Sequence, residues 1–240
     1  MSEPRRGDRS RGLVGIVPAA GSGERLRHAL DRNGAAGASP PAKAFTLLGG
    51  RPLLDWSIDV LSGVCARVVV AVPAGHAQPP DRVEGGRSRS ASVRAALEAA
   101  PEAEIVVVHD AARPLVTREL VERCVAALQE GLADGVIAGT PVIDTVKEAS
   151  GDGRVTRTLD RSVLWRVQTP QVFRGSILRR ALEVGEAQLA TATDDASLVE
   201  AAGGSVIVVE APRENLKVTT ALDLAVAESL LAARAASAAG

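Results

Sequence analysis

Five short apolar runs, Leu13-Val17, Arg67-Val72, Ile105-Val108, Gly135-Ala138 and Ser205-Val209, are rich in valine and isoleucine and are separated by stretches of helical periodicity. No other feature of the chain limits its fold as strongly. Apolar runs of this length suit strands buried on both faces, and parallel strands need crossovers long enough to hold a helix. The alternation predicts an α/β fold, a Rossmann-like and mainly parallel sheet with helices on both faces. The expected helices are Pro52-Leu61, Ser90-Ala99, Thr117-Glu130, Arg174-Val184, Asp194-Ala202 and Ala221-Ala236. Thr220 followed by Asp223 resembles a capping box with Asp in place of Glu, and Thr193 precedes acidic residues that suit a helix N-terminus.

Two segments interrupt this pattern. His28-Pro41 is rich in Ala, Gly and Pro and has no periodicity, so it is expected to be a mobile loop. From Thr145 to Val172 the runs TVKEAS and RVTRTL flank GDG, which predicts a hairpin projecting from the sheet as an arm. The expected organisation is a disordered segment over 1–11, then a single domain over 12–236 with its arm at about 145–172.

Charge and composition exclude several functions. Twenty-eight basic and twenty-nine acidic side chains give a formal charge of -1, so no global field favours nucleic acid or a membrane surface. Any anion must be held locally. The two cysteines, Cys65 and Cys124, have no metal spacing and are expected to be buried reduced thiols. The three histidines are too scattered to define a metal cage. No run reaches membrane-spanning length, and MSEPRRGDRSRG lacks the apolar segment of a secretory signal, so a cytoplasmic location is expected.

The first strand breaks into PAAGSGERL, whose Gly21 and Gly23 fit neither the dinucleotide fingerprint nor a P-loop. Backbone N-H groups in such a turn can cradle phosphate, with Arg25 in reach to neutralise its charge. Standing alone, this motif reads first as a tight strand-to-helix turn with a surface arginine. Lys43 closes the irregular loop in PPAKAF. GGRSRSASV places small residues and hydroxyls before a helix, suited either to a base edge or to ordinary Ser capping. In VVVHDAARPL a buried strand runs into Asp110, with Arg113 on the same rim, where ligands bind in open α/β sheets. Lys217, in ENLKVTT, stands at another sheet edge.

PAAGSGERL, GGRSRSASV, VHDAARP, DTVK, DRSVLWRVQTPQVF, TDDAS and NLKVT, taken in order, resemble the 2-C-methyl-D-erythritol 4-phosphate cytidylyltransferases of isoprenoid precursor synthesis, from Leu13 to about Glu228. The resemblance implies a sheet of the nucleotide-diphospho-sugar transferase type and transfer of cytidylate from CTP to the polyol phosphate, with Mg2+ carried mainly by triphosphate oxygens. It implies that Ala19, Ala20, Gly86 and Ser92 meet the base, and that Pro18, Gly21, Gly23, Asp110 and Ala111 complete the CTP site. It also implies that Arg25 and Lys43 grip the triphosphate, and that Asp110, Arg113, Thr145, Arg161, Thr193 and Lys217 hold the polyol phosphate. Arg25, Lys43 and Lys217 are then the catalytic cations, and the arm packs in a homodimer that delivers Arg161 to the neighbouring site. Two departures stand out: Ala42 separates Pro41 from Lys43 where the family commonly reads Pro-Lys, and Arg87 stands where relatives often carry a non-basic residue.

Ribitol 5-phosphate is the alternative acceptor, since it too is a phosphorylated polyol. A nucleotide-sugar glycosyltransferase would present Asp-x-Asp, which the chain lacks. A non-catalytic nucleotide sensor would not need Arg113, Arg161 and Thr193.

Overall fold

The computed structural model describes residues 12–21 and 43–239. The segment 1–11 and the loop His28-Pro41 lie outside the described residues. A seven-stranded sheet forms the centre, ordered β11-β7-β10-β6-β1-β4-β5. Its strands are β1 (Leu13–Pro18), β4 (Arg67–Val72), β5 (Arg82–Glu84), β6 (Ile105–Val108), β7 (Gly135–Pro141), β10 (Trp165–Arg174) and β11 (Val206–Glu210). Two small antiparallel pairs flank it: β2 (Leu47–Leu48) with β3 (Arg51–Pro52), and β8 (Lys147–Ala149) with β9 (Val155–Thr158). All five expected strands are present, and each bonds its neighbours in parallel except where β10 intervenes.

Strand residues alternate between two cores, as the pleat requires. Val17, Val70, Val107 and Val172 face one layer with Leu54 and Leu61 of α1 (Leu53–Ser62) and Leu120, Cys124 and Leu128 of α3 (Arg118–Gln129). Ile16, Val69, Val106 and Phe173 face the other, with Val93 and Leu97 of α2 (Arg89–Glu98), Leu178 and Leu182 of α4 (Gly175–Leu182), and Leu198 of α6 (Asp195–Ala201). A short helix, α5 (Glu186–Thr191), precedes α6. The last helix, α7 (Ala221–Ala239), is pinned by a third cluster that includes Leu48, Leu53, Leu115, Val218 and Ala227.

Caps mark the helix starts. Thr220 and Asp223 form the reciprocal box: the Asp223 N-H donates to Thr220 Oγ1, and Asp223 Oδ2 accepts from the Thr220 N-H at 2.8 Å. At α6 the cap is Asp194, whose Oδ1 accepts from the Ser197 N-H, rather than Thr193.

The arm is shorter than the sequence suggests. The hairpin closes with β9, and Trp165–Arg174 returns to the sheet as β10, antiparallel to both β6 and β7. An irregularity between Val167 and Gln171 interrupts its pairing with β7, at the point where Pro170 has no N-H to donate. That break, with buried Gln168 and Gln171 inside the strand, hides the apolar pattern of a sheet centre.

Candidate active site

The C-terminal ends of β1, β4 and β6 bring three loops together. Beyond β1 the Ala19 N-H donates to the Ala71 carbonyl at 2.7 Å, which keeps Pro18, Ala19, Ala20 and Gly21 along the sheet edge. After β5 the Gly85 N-H donates to the Val72 carbonyl at 2.8 Å. A Cβ on Gly85 would lie 2.3 Å from Ala20 Cβ and 2.8 Å from Ser92 Oγ, and one on Gly86 would lie 2.4 Å from Ala91 Cβ. Backbone therefore approaches here more closely than any side chain allows. The fold thus assembles Ala20, Gly86 and Ser92 into one cradle. Ser92 Oγ donates to the Ser88 carbonyl at 2.9 Å, which fixes the hydroxyl in the first turn of α2.

Beside this cradle β6 runs into His109 and Asp110. The His109 N-H extends the ladder to the Ile16 carbonyl, and its ring is wholly buried, with Nε2 3.1 Å from the Arg113 carbonyl and Nδ1 3.0 Å from Thr169 Oγ1. Burial pushes its pKa down to about 4, so the ring is neutral near pH 7. Asp110 accepts from Arg89 Nε on Oδ1 at 2.8 Å and from Lys217 Nζ on Oδ2 at 2.6 Å. Burial opposes its charge, but Arg89 and Lys217 outweigh burial and hold the carboxyl well below the usual range. Arg89 Nη1 also donates to Asp195 Oδ2 at 2.5 Å. Burial likewise opposes the Arg89 charge, and the two carboxylates outweigh it and raise its pKa. Asp195, at the first position of α6, is lifted by burial, with Arg89 opposing that shift.

These groups open onto a cavity of about 450 Å³. Arg113 lines it, anchored by Nη1 to the Asn215 carbonyl at 2.8 Å, and burial lowers its pKa. Arg113 Nε is buried without a protein partner. Asn215 Nδ2 ties this loop to Gln168 Oε1 and to the Thr169 carbonyl. Thr193 and Lys217 also line the cavity, as does Gln171, whose Nε2 donates to Asp194 Oδ2 at 2.7 Å.

Asp110, Arg113, Thr193 and Lys217 all line this one cavity, and Ala111 is buried. Thr145 and Arg161 do not line this cavity within the chain. Both are exposed on the arm, where Arg161 Nη1 donates to the Ile143 carbonyl. Lys43 opens a short 3-10 turn to Phe45 and is half-buried. Gly23 and Arg25 lie outside the described residues.

Arg89 and Asp195 also belong to this group, though neither stands out in the sequence. One signal was available: Arg89 puts a cation in the first turn of a helix, where the dipole disfavours it, so an anionic partner was required. Among the described residues no group of three or more His, Cys, Asp or Glu side chains could hold a metal ion.

A family model described as IspD, 2-C-methyl-D-erythritol 4-phosphate cytidylyltransferase, matches residues 13–233. Proteins of that name from Prochlorococcus marinus (strain MIT 9313) and Nocardia farcinica (strain IFM 10152) are 40% and 42% identical to the chain, covering 92% and 95% of it and 98% of each relative. The crystal structure of 2-C-methyl-D-erythritol 4-phosphate cytidylyltransferase from Thermus thermophilus superposes with a TM-score of 0.72 at 36% identity, covering 90% of this chain and 97% of that one. A 4-diphosphocytidyl-2C-methyl-D-erythritol synthase from Anaerococcus prevotii DSM 20548 gives a TM-score of 0.74 at 26% identity, covering 92% and 99%.

Proposed function

The chain belongs to the 2-C-methyl-D-erythritol 4-phosphate cytidylyltransferase family, and on that premise we propose which of its residues carry out the reaction. The enzyme transfers the cytidylyl group of CTP to 2-C-methyl-D-erythritol 4-phosphate, giving 4-CDP-2-C-methyl-D-erythritol and pyrophosphate. A phosphate oxygen of the acceptor forms a bond to the α-phosphorus as the bridging bond to the β-phosphate breaks. A phosphate monoester with a second pKa near ~6 is largely dianionic at neutral pH, so the nucleophile needs no base. His109 fits this economy, because it is buried, neutral and bonded at both ring nitrogens.

What remains for the protein is positioning and charge stabilisation. Ala19, Ala20, Gly86 and Ser92 take the cytosine, Pro18 and Gly21 line the ribose, and Gly23, Asp110 and Ala111 complete the CTP site. Arg25 and Lys43 hold the triphosphate. Arg113 and Thr193 hold the acceptor phosphate, and Lys217 stabilises charge at the reacting phosphorus. The Asp110–Lys217 pair carries this reading, because both residues line the cavity and set a cation beside a carboxylate that suits the meeting of a triphosphate and a phosphorylated polyol. CTP chemistry implies a divalent ion, and Mg2+ is our assignment. Asp110 already holds two cations, so the donor set fits an ion carried by triphosphate oxygens rather than by a protein cage. When bound, Mg2+ neutralises phosphate charge.

We read residues 12–236 as one nucleotidyltransferase domain acting as a homodimer. Ile143, Val155, Val163, Trp165 and Val167 expose apolar surface on and beside the arm, and a two-stranded hairpin is marginal in water without a partner. The arm would thereby bring Thr145 and Arg161 to the other subunit's cavity. The buried free thiols Cys65 and Cys124 suit the reducing cytoplasm, and no described helix is long and apolar enough to cross a membrane.

Pyrophosphate release from CTP, measured with 2-C-methyl-D-erythritol 4-phosphate and with ribitol 5-phosphate, tests the function directly. Turnover is expected with the former. Preference for ribitol 5-phosphate, or no release with either, rejects it.

A further inference from the structure

Neither Arg89 nor Asp195 has a role in the transfer proposed for this site, yet Arg89 lines the cavity and Asp195 is buried against it. Asp195 is wholly buried, its Oδ2 meets Arg89 Nη1 at 2.5 Å, and its Oδ1 has no protein partner. Stability does not account for such a pair, because a buried ion pair can commonly be replaced by uncharged groups at little cost. Position does account for it. The chain of charges runs Asp195, Arg89, Asp110, Lys217, drawn from α6, α2, the loop after β6 and the segment after β11. The other charges facing this group are Arg113 from the Asp110 loop, beside Asp110 and Arg89, and Asp194 beside Asp195; Arg166 on β10 faces Arg113.

Two consequences follow from the geometry. A guanidinium is planar, so Arg89 anchored at Nη1 by Asp195 presents Nε to Asp110 in one fixed direction. Because Arg89 occupies Oδ1, Asp110 shares one negative charge between two cations, and Lys217 is neutralised less than it would be as the sole partner. Lys217 is the outermost of the four, with 40% of its side chain exposed against 10% for Asp110.

Resting on the cytidylyltransferase reading, we propose that Arg89, clamped by Asp195, is a positioning residue: it orients the Asp110 carboxylate and divides its charge, leaving the Lys217 ammonium available to the reacting phosphate.

The test uses the full-length enzyme with Arg89→Gln, Asp195→Asn, the double variant and Arg89→Lys, followed by thermal unfolding and by pyrophosphate release. Arg89→Gln leaves the buried Asp195 without its cation, Asp195→Asn leaves Arg89 with Asp110 as its one carboxylate, and each is expected to lower the melting temperature. The double variant removes both charges with little change of shape, so its melting temperature returns toward that of wild type. Its kcat is expected to stay at least about tenfold below wild type while the KM for CTP changes by less than about threefold. Arg89→Lys keeps the charge but reaches one carboxylate, and its kcat is expected to fall between wild type and Arg89→Gln. Recovery of kcat together with stability in the double variant makes the pair structural and overturns the proposal, as does a wild-type kcat in Arg89→Gln or Arg89→Lys. A wild-type enzyme that releases no pyrophosphate defeats the underlying reading instead, whatever the variants do.

Discussion

Lys217 Nζ lies 2.6 Å from Asp110 Oδ2 across 107 positions of sequence, so the outermost cation of the site is held by a carboxylate that the sheet edge itself fixes. Lys217→Ala should therefore depress kcat far more than it raises the KM for CTP. Loss of a charge contact made mainly in the transition state costs on the order of 3 kcal/mol, or about 10²-fold. Steady-state kinetics with CTP varied will decide, and an effect confined to KM rules the role out.

The Gly85 backbone fills the space beside Ala20 and Ser92, where an added Cβ would come within 2.3 Å of Ala20 Cβ. Gly85→Ala should weaken CTP binding at least about tenfold and cost about 1–3 kcal/mol of stability through overpacking. Gly151→Ala, at an arm position with nothing within 4 Å, serves as the control. Calorimetry showing equal CTP affinity in both variants would remove the cradle from the site.

His109 titrates at about 4 in the folded chain against 6.5 for a free imidazole, because burial disfavours its charge. Between those values the unfolded chain binds the extra proton, so stability rises with pH across the window and falls as pH drops from 6.5 toward 4. The shift corresponds to about 3 kcal/mol, which His109→Gln should abolish. Urea unfolding over that pH range is the measurement. Parallel pH dependences in wild type and variant would contradict a buried neutral ring.

If the arm delivers Arg161 to the neighbouring subunit, Arg25→Ala and Arg161→Ala damage opposite halves of a shared site. Each homodimer should be nearly inactive. Equal amounts allowed to exchange subunits should regain roughly a quarter of wild-type activity, since half the dimers are mixed and one site in each is intact. A mixture that stays inactive after exchange has been verified by mass places Arg161 in its own subunit's site.

Much of the molecule is legible in its sequence. Val-rich runs mark β1, β4, β6, β7 and β11 because burial on both faces imposes a local composition. Short-range rules likewise show in Thr220 and Asp223, which cap α7 as their spacing requires. Asp110, Arg113 and Lys217 could be placed at strand ends, and hence on one rim, because parallel strands present those ends on the same side.

The tertiary structure decided the rest. Trp165–Arg174 looks like part of the arm until it is seen between β6 and β7, since a proline and two buried glutamines break its strand pattern and only its neighbours complete it. Arg89 stands at a helix start with no acidic residue in its first turn, and its partners are Asp110 and Asp195, 21 and 106 positions away. Secondary structure is written in local preference and burial, which a stretch of chain carries within itself. Ion pairing depends on which strand ends and helix starts the sheet order brings within about 3 Å, and no local stretch holds that distance.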